Sequence, residues 1–221
     1  MVQRTEICFV RHGETEWNRV GRYQGTSDIP LNDLGIQQAQ LVAARLAGES
    51  WDAILSSPLT RAATTAQAIA DATGIEPIEL LVDLQERAYG DAEGLTIVER
   101  EERWPDGDWP HLESLESIWE RGARVLQHVV ANYPGQRVIA VSHGGLINAI
   151  LHDITDGELG TGVSLILNVS LTRIHTDDGG ENWTVESVSD ARHLLDEHGV
   201  LNVLMPARVD SSGLAAARSG T

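Results

Sequence analysis

Short continuous apolar runs alternate along this chain with stretches of helical period. Ile7-Cys8-Phe9-Val10 is an unbroken apolar run that ends at Arg11-His12-Gly13, the pattern of a buried strand breaking into a tight loop. Asp33-Leu34-Gly35 opens a helical stretch to Leu46, with Leu34, Gln38, Leu41, Val42 and Arg45 at three-to-four spacing. Ala53 to Ser56 reads as a second buried strand and Pro58 stops it; the Ala-rich segment Thr60 to Ala72 predicts a helix. Ile75 to Leu81 reads as a third strand, and Leu84 to Gly94, of mixed polarity, as a loop. Residues 95–114 show no clean period and read as an irregular insertion or short helices. Helical period returns from Ser114 to Ala131, and Pro134-Gly135 ends it. Arg137 to Ser142 is the clearest strand; it runs into His143-Gly144-Gly145 and a helix from Leu146 to Ile154. Val163 to His175 and Trp183 to Val188, flanking Asp177-Asp178-Gly179-Gly180, read as a hairpin.

Strands alternating with helices predict an α/β fold: a three-layer sandwich with a mostly parallel central sheet and one insertion. Residues 1–205 are expected to form one domain, and 206–221, small and polar after Pro206, a loose tail.

Composition narrows the chemistry. The net charge is −17, and all 16 cationic side chains are Arg; there is no Lys. Such a surface is a poor match for nucleic acid or an anionic membrane. Absence of Lys removes the Walker-type phosphate loop, Schiff-base chemistry and a Lys base. The single Cys8 excludes an internal disulfide and a multi-thiolate metal site, and its place inside the first strand marks it as core. No run of about 18 apolar residues exists. A cytoplasmic protein is the expectation.

Two strands end in His-Gly, at His12-Gly13 and His143-Gly144, and a third ends at Ser56-Ser57-Pro58-Leu59-Thr60-Arg61. Ligands gather beyond the carboxyl ends of strands in open α/β sheets, so the two histidines can face one pocket. A lone histidine at a strand end is most often just a satisfied polar residue. The adjacent Arg11 changes that balance, because a buried Arg requires an anion.

Residues 10–18 (Val-Arg-His-Gly-Glu-Thr-Glu-Trp-Asn) resemble the signature of the histidine phosphatase superfamily, in its phosphoglycerate mutase-like branch. The resemblance continues in order through Gln24-Gly25, Asp28 to Asn32, Leu34 to Ala39, Ser56 to Ala62, Leu84 to Arg87, Gly90, Glu93-Gly94 and Ser142 to Gly145. By that resemblance His12 is the nucleophile that forms a phosphohistidine, Arg11 and Arg61 are the phosphate forks, and His143 bonds the equatorial oxygens. Glu86 is the acid/base carboxyl, Asn18 a phosphate-contacting amide, and Gln24, Gly25 and Gly144 complete the substrate-facing set. It implies neither metal nor cofactor, and a small phosphorylated partner. The Arg fork matches phosphoryl oxygens bidentately, which agrees with this reading.

Which reaction is run depends on the loops. Glu86-Arg87-Ala88-Tyr89-Gly90 resembles the mutase form, whereas Ala92-Glu93-Gly94 keeps the Glu-Gly of the phosphatases. Mutases of the family hold a second phosphate with a Lys and an Arg pair; here the insertion offers only Arg100 and Arg103 among Glu99, Glu101, Glu102, Asp106 and Asp108. Glu113-Ser114 with Arg121 downstream resembles the phosphatase pattern. The expected function is therefore phosphomonoester hydrolysis, with phosphoglycerate mutase and a non-catalytic phospho-ligand-binding protein as alternatives. Trp104, Trp109 and Trp119 are candidates for an apolar mouth or for plain packing. Arg87 is open between substrate contact and pairing with a nearby carboxylate, and Arg22 between a pocket guard and a solvated loop residue. Competing motifs are weak: no Gly-x-Ser-x-Gly accompanies His143-Gly144-Gly145, Gly160-Thr161-Gly162 lacks a third glycine, and His193 with His198 is an isolated pair. The Val163–His175 hairpin could place a homodimer edge.

Overall fold

The computed structural model describes residues 3–195; the tail expected after Pro206, and His198, lie outside the described residues. Its six strands are β1 (Thr5–Arg11), β2 (Ala53–Ser56), β3 (Glu79–Leu80), β4 (Arg137–Ser142), β5 (Leu171–Thr176) and β6 (Thr184–Asp190). The helices are α1 (Glu16–Arg19), α2 (Asp33–Leu46), α3 (Thr60–Thr73), α4 (Ile97–Arg103), α5 (Leu115–Asn132) and α6 (Gly144–Ile154). The strands form one sheet in the order β3-β2-β4-β1-β5-β6. β1, β2, β3 and β4 pair in parallel, and β5 runs antiparallel between β1 and β6.

Side-chain alternation along the central strands makes two cores. Cys8, Val10, Ile139 and Val141 face one way and pack with Val42, Leu46, Ala66 and Ile69 of α2 and α3. Ile7, Phe9, Val138 and Ala140 face the other way and pack with Val125 and Val129 of α5 and Leu146 and Ile150 of α6. Strands covered on both faces carry no polar alternation, which is why β1 and β4 read as continuous apolar runs. α2 begins at Asn32, whose side-chain oxygen accepts from Gly35 N at 2.8 Å, and α5 at Ser114, which caps Ser117 N.

Two segments depart from the sequence expectation. Only Glu79–Leu80 of the predicted Ile75–Leu81 strand pairs, because Gly74 ends α3 in the left-handed conformation and the chain must pass Pro77 before reaching β2. Val163 to Ser170 is a loop, and the hairpin begins at Leu171. Val163 and Leu165 are 63% and 67% exposed, and Val169 sits at φ +51°, so this apolar segment turns where a strand would continue.

β1 connects across β4 to β2, whereas β4 connects across β1 to β5, and the two connections leave on opposite faces. The carboxyl ends of β1 and β4 are therefore the switch point of the sheet, where a crevice opens.

Candidate active site

Arg11 of β1 lies opposite Ser142 of β4, so the next residue of each strand emerges at that crevice: His12 and His143. Their rings stand 5.0 Å apart between centroids, and both are buried. His12 Nδ1 lies 2.6 Å from the Gly13 carbonyl oxygen. That acceptor requires the proton on Nδ1 and leaves Nε2 with a free lone pair. Burial first, then the charges of Arg61 and Arg11, hold the His12 pKa well below its ordinary value, so the ring is neutral at physiological pH. His143 is pushed down in the same way, by burial and then by His12 and Arg61. Its Nδ1 accepts from Arg61 Nε at 3.3 Å and its Nε2 donates to Ser57 Oγ at 2.8 Å. Both nitrogens of His143 are thus engaged, and it touches the crevice through Arg61.

Arg61 is fully buried on the first turn of α3, where Leu59-Thr60 brings it round from β2. Of its four other N–H groups, one on NH1 donates to the Ser27 carbonyl at 2.8 Å and one on NH2 to the Gly25 carbonyl at 2.7 Å. Arg11 donates to the Ile166 carbonyl at 2.7 Å, and its Nε is sealed from solvent without a partner. Burial lowers the pKa of both guanidinium groups, and among the described residues neither makes an ion pair. Two buried cations thus face one crevice bonded to carbonyls and a neutral imidazole, with Glu86 lining the same cavity outside ion-pair distance, an arrangement that favours an anion between them.

The amides are oriented as donors. Asn18 Oδ1 accepts from Thr15 N at 3.2 Å, and Gln24 Oε1 accepts from Thr15 Oγ1 at 2.9 Å, which leaves both amide nitrogens for the cavity the residues line. Asn168, from the Val163–Ser170 loop, donates to the His12 carbonyl at 2.9 Å and to Asn18 Oδ1 at 3.3 Å. Gly25 occupies φ +54°, and a Cβ there would stand 2.0 Å from Glu93 Oε1. Glu93 in turn accepts from Thr26 N and Ser27 N, both at 2.9 Å, and holds the carbonyls of this loop toward Arg61.

Glu86 is placed by the start of α6. Gly145 N donates to its Oε2 at 3.1 Å, and Leu146 N and Arg87 N donate to its Oε1 at 3.2 and 2.9 Å. Gly145 permits this approach, since a Cβ would fall 2.3 Å from Glu86 Oε1. Two cavities meet at Arg11, Glu86 and Tyr89. One, of about 240 Å³, holds His12, Asn18, Gln24, Gly25 and Arg61, with Trp17, Arg22 and Ile97 toward its mouth. The other, of about 310 Å³, runs past Arg87, Gly144 and Asn148 to Ser164 and the exposed Leu165.

The structure thus brings Arg11, His12, Asn18, Gln24, Gly25, Arg61, Glu86, His143 and Gly144 together. It places the three candidate tryptophans elsewhere: Trp109 donates to the Tyr89 carbonyl at 2.7 Å, Trp104 packs near Trp109, and Trp119 stacks on His152. None lines either cavity. Arg22 bonds Glu99 at 3.1 Å and tethers the insertion, while Arg87 donates to the Glu113 carbonyl and makes no ion pair among the described residues. Ser57, Tyr89, Glu93 and Asn168 were not singled out by sequence reasoning. Ser57, Tyr89 and Glu93 lie inside the segments that resemble the family, whereas Asn168 carries no signal in the sequence.

The model of the histidine phosphatase superfamily, branch 1, matches residues 7–191. The chain is 38% identical over 190 residues to an uncharacterized phosphatase, PhoE, of Bacillus subtilis, covering 86% of this chain and 97% of that one. It is 35% identical to a metal-independent phosphoserine phosphatase of Arabidopsis thaliana, over 86% of this chain and 83% of the relative. The solved structure of Bacillus stearothermophilus YhfR superposes with a TM-score of 0.79 at 28% identity, covering 86% and 98% of the two chains. Proteins named as probable phosphoglycerate mutases match as well. A match running through β1, β4 and the loops between them, on the strand ends that carry the paired histidines, makes the chain a member of the histidine phosphatase superfamily.

Proposed function

We propose that this protein hydrolyses small phosphomonoesters through a phosphohistidine on His12. The observation that carries the reading is the neutral His12 imidazole, with Nδ1 tied to Gly13 and Nε2 free, set beside two guanidinium groups that make no ion pair among the described residues. Arg11, Arg61 and the amide nitrogens of Asn18 and Gln24 take the phosphoryl oxygens, and the forks offset the charge that spreads over them in the transition state. His12 Nε2 attacks phosphorus as the ester P–O bond breaks, and the leaving oxygen takes a proton from Glu86. Glu86 then removes a proton from water, which attacks the phosphohistidine, releases inorganic phosphate and restores His12.

In-line attack places the leaving oxygen on the side of phosphorus away from His12. The cavity that shares Arg11 and Glu86 but excludes His12, running past Arg87 and Asn148, is therefore the leaving-group side. Hydrolysis is favoured over mutase chemistry by the insertion. Its two arginines are spent on tryptophans, Arg100 at 5.2 Å from the Trp109 ring centre and Arg103 at 4.6 Å from that of Trp104, and neither lines a cavity. No second cationic cluster stands ready for a second phosphate among the described residues.

The test is phosphate release from p-nitrophenyl phosphate and from 3-phosphoglycerate in the presence of EDTA, with acid-labile, base-stable phosphate trapped on the protein. Release from the aryl ester, with the label on His12 and none in His12→Ala, is the expected result. No release from either ester, but formation of 2-phosphoglycerate once a bisphosphorylated primer is added, would overturn hydrolysis in favour of the mutase. Full activity in His12→Ala would remove the phosphohistidine.

A further inference from the structure

Glu86 sits on a segment, Gln85 to Tyr89, that belongs to no helix or strand. Such a segment needs an outside constraint if its carboxyl is to be held within a few tenths of an ångström of a reacting oxygen. We propose that the buried ion pair between Glu113 and Arg121 is that constraint, and that both are positioning residues acting through Glu86. This inference rests on the acid/base role given to Glu86 above.

Arg121 divides its donors between Glu113 and the backbone that leads to Glu86. Its NH1 donates to the carbonyls of Asp83, at 3.0 Å, and Gln85; its NH2 donates to the carbonyl of Glu86, at 3.2 Å. Its Nε and NH2 also bind the two oxygens of Glu113, at 3.1 and 2.9 Å. These five bonds match the five N–H groups of the guanidinium. Glu113 completes the clamp: its Oε2 accepts from Ala88 N at 3.0 Å, its backbone N donates to the Ala88 carbonyl at 2.9 Å, and its carbonyl accepts Arg87 Nε at 2.8 Å. Residues on both sides of Glu86 are thereby fixed to one ion pair.

The pair is 11% and 13% exposed, unlike the ordinary surface pairs of this protein. Arg121 lies on α5, which packs against α6, the helix whose first backbone N–H groups receive the Glu86 carboxylate. One side of Glu86 is thus set by α6 and the other by α5 through Arg121. A pair that served only to staple α5 to the molecule would not need three of its five donors on the carbonyls of Asp83, Gln85 and Glu86.

Leaving-group chemistry separates positioning from general structural support. p-Nitrophenolate departs without a proton, whereas the alkoxide of 2-glycerol phosphate requires one, so only the second ester depends strongly on an accurately placed acid. Single-turnover formation of the phosphohistidine is measured for both esters in wild type, Arg121→Lys, Glu113→Gln, Glu86→Gln and the double variant Glu86→Gln/Arg121→Lys. Lys keeps the charge but loses the fork. The expected result is a loss of roughly 100-fold on 2-glycerol phosphate and less than about 3-fold on the aryl ester for Arg121→Lys, with Glu113→Gln intermediate. In the Glu86→Gln background Arg121→Lys adds nothing further. Equal losses on the two esters, or an undiminished effect of Arg121→Lys in the Glu86→Gln background, would overturn the positioning role. If Glu86→Gln itself shows no preference between the esters, it is the acid role of Glu86 that fails. If Arg121→Lys does not fold, Glu113→Gln, which keeps the shape and the hydrogen-bonding oxygen, decides by the same ratio of the two esters.

Discussion

The two ends of β1 and β4 treat arginine in opposite ways. At the amino end of the pair, Arg137 and Arg173 share the carboxylates of Glu6 and Glu49 in four contacts of 2.7–3.0 Å, and both guanidinium groups lie over the Trp51 ring. Every charge there is matched within the protein, and the arginines pull the Glu6 carboxyl below its usual range despite its burial. At the carboxyl end, Arg11 and Arg61 face a crevice with carbonyls and a neutral histidine, and no carboxylate within ion-pair distance among the described residues. The same side chain is a structural fastener at one end and, in the function proposed above, a phosphate fork at the other. Partners, not residue type or burial, distinguish them.

The largest effect that would break this contrast comes from removing one Arg at each end. Replacing Arg61 by Met, of similar length, is expected to lower kcat/KM on an aryl phosphate roughly 10³-fold, because the fork acts on charge that develops in the transition state. The same change is expected to leave the melting temperature unchanged or higher, since an unbalanced buried cation is removed. Arg173→Met should do the reverse: activity within about 3-fold of wild type and a stability loss of about 2–4 kcal/mol, from the two carboxylates left without it. Urea unfolding and steady-state rates on the same preparations check both halves. Equal destabilisation by the two variants would erase the distinction.

How much of this contrast the sequence discloses depends on the range of the contacts. The carboxyl-end residues next to strand ends were legible, because Ile7-Cys8-Phe9-Val10 and Val138-Ile139-Ala140-Val141 show where a buried strand stops, and His12 and His143 come next. Asn32 and Ser114 cap neighbours three positions away, a local contact that the sequence reading did not use. The Val163–Ser170 loop was not legible. Its apolar residues mimic a strand, yet Val163 and Leu165 face outward while the loop supplies the Ile166 carbonyl to Arg11 and Asn168 to Asn18. Those partners are 155 and 150 positions apart, and only the closed sheet makes them neighbours. The Glu6–Arg137–Arg173–Glu49 network is invisible for the same reason. Trp104, Trp109 and Trp119 left a mouth and plain packing equally open, because composition beside an acidic insertion does not say which way a ring faces; the fold uses Trp109 and Trp119 for packing and for one backbone bond.

A smaller effect sharpens the comparison by pH. His12 and His143 are held neutral by burial and by the unbalanced arginines, so their folded pKa values lie well below 6.5. In the unfolded chain both regain the ordinary value, and as pH falls below about 6.5 the unfolded state takes up protons the folded state refuses. Stability is therefore complete above about pH 6.5 and declines as pH drops toward the folded pKa values. At pH 5.5 the two rings together amount to about 2–3 kcal/mol. The carboxylates of the opposite network are lowered from 4.5 and act only in more acidic solution. Unfolding curves of the phosphate-free protein at pH 7.5 and 5.5 should show this loss, and His12→Ala should remove about half of it. An unchanged pH slope in His12→Ala would mean that the carboxyl end does not hold its histidines neutral.

The smallest effect concerns approach to the site, where the unpaired arginines compete with a net charge of −17. A charge about 4 Å away at an effective dielectric near 20 is worth about 4 kcal/mol, whereas carboxylates about 20 Å away are screened across two Debye lengths in physiological salt. Once a phosphate has entered, Arg11 and Arg61 dominate. Before it enters, at salt low enough for a Debye length of about 30 Å, the acidic exterior is felt along the whole path. For a phosphate dianion kcat/KM is therefore expected to rise about 2- to 3-fold as salt goes from about 5 to about 100 mM, and then to level off or fall as the arginines themselves are screened. Neutralising the exterior, and not the site, should flatten the rise: Glu102→Gln combined with Asp106→Asn, two exposed acids of the insertion that line neither cavity, is the variant to compare. A rate that falls steadily from the lowest salt in wild type would show that the arginine field already reaches past the mouth of the crevice. In that case the carboxyl end governs encounter as well as binding.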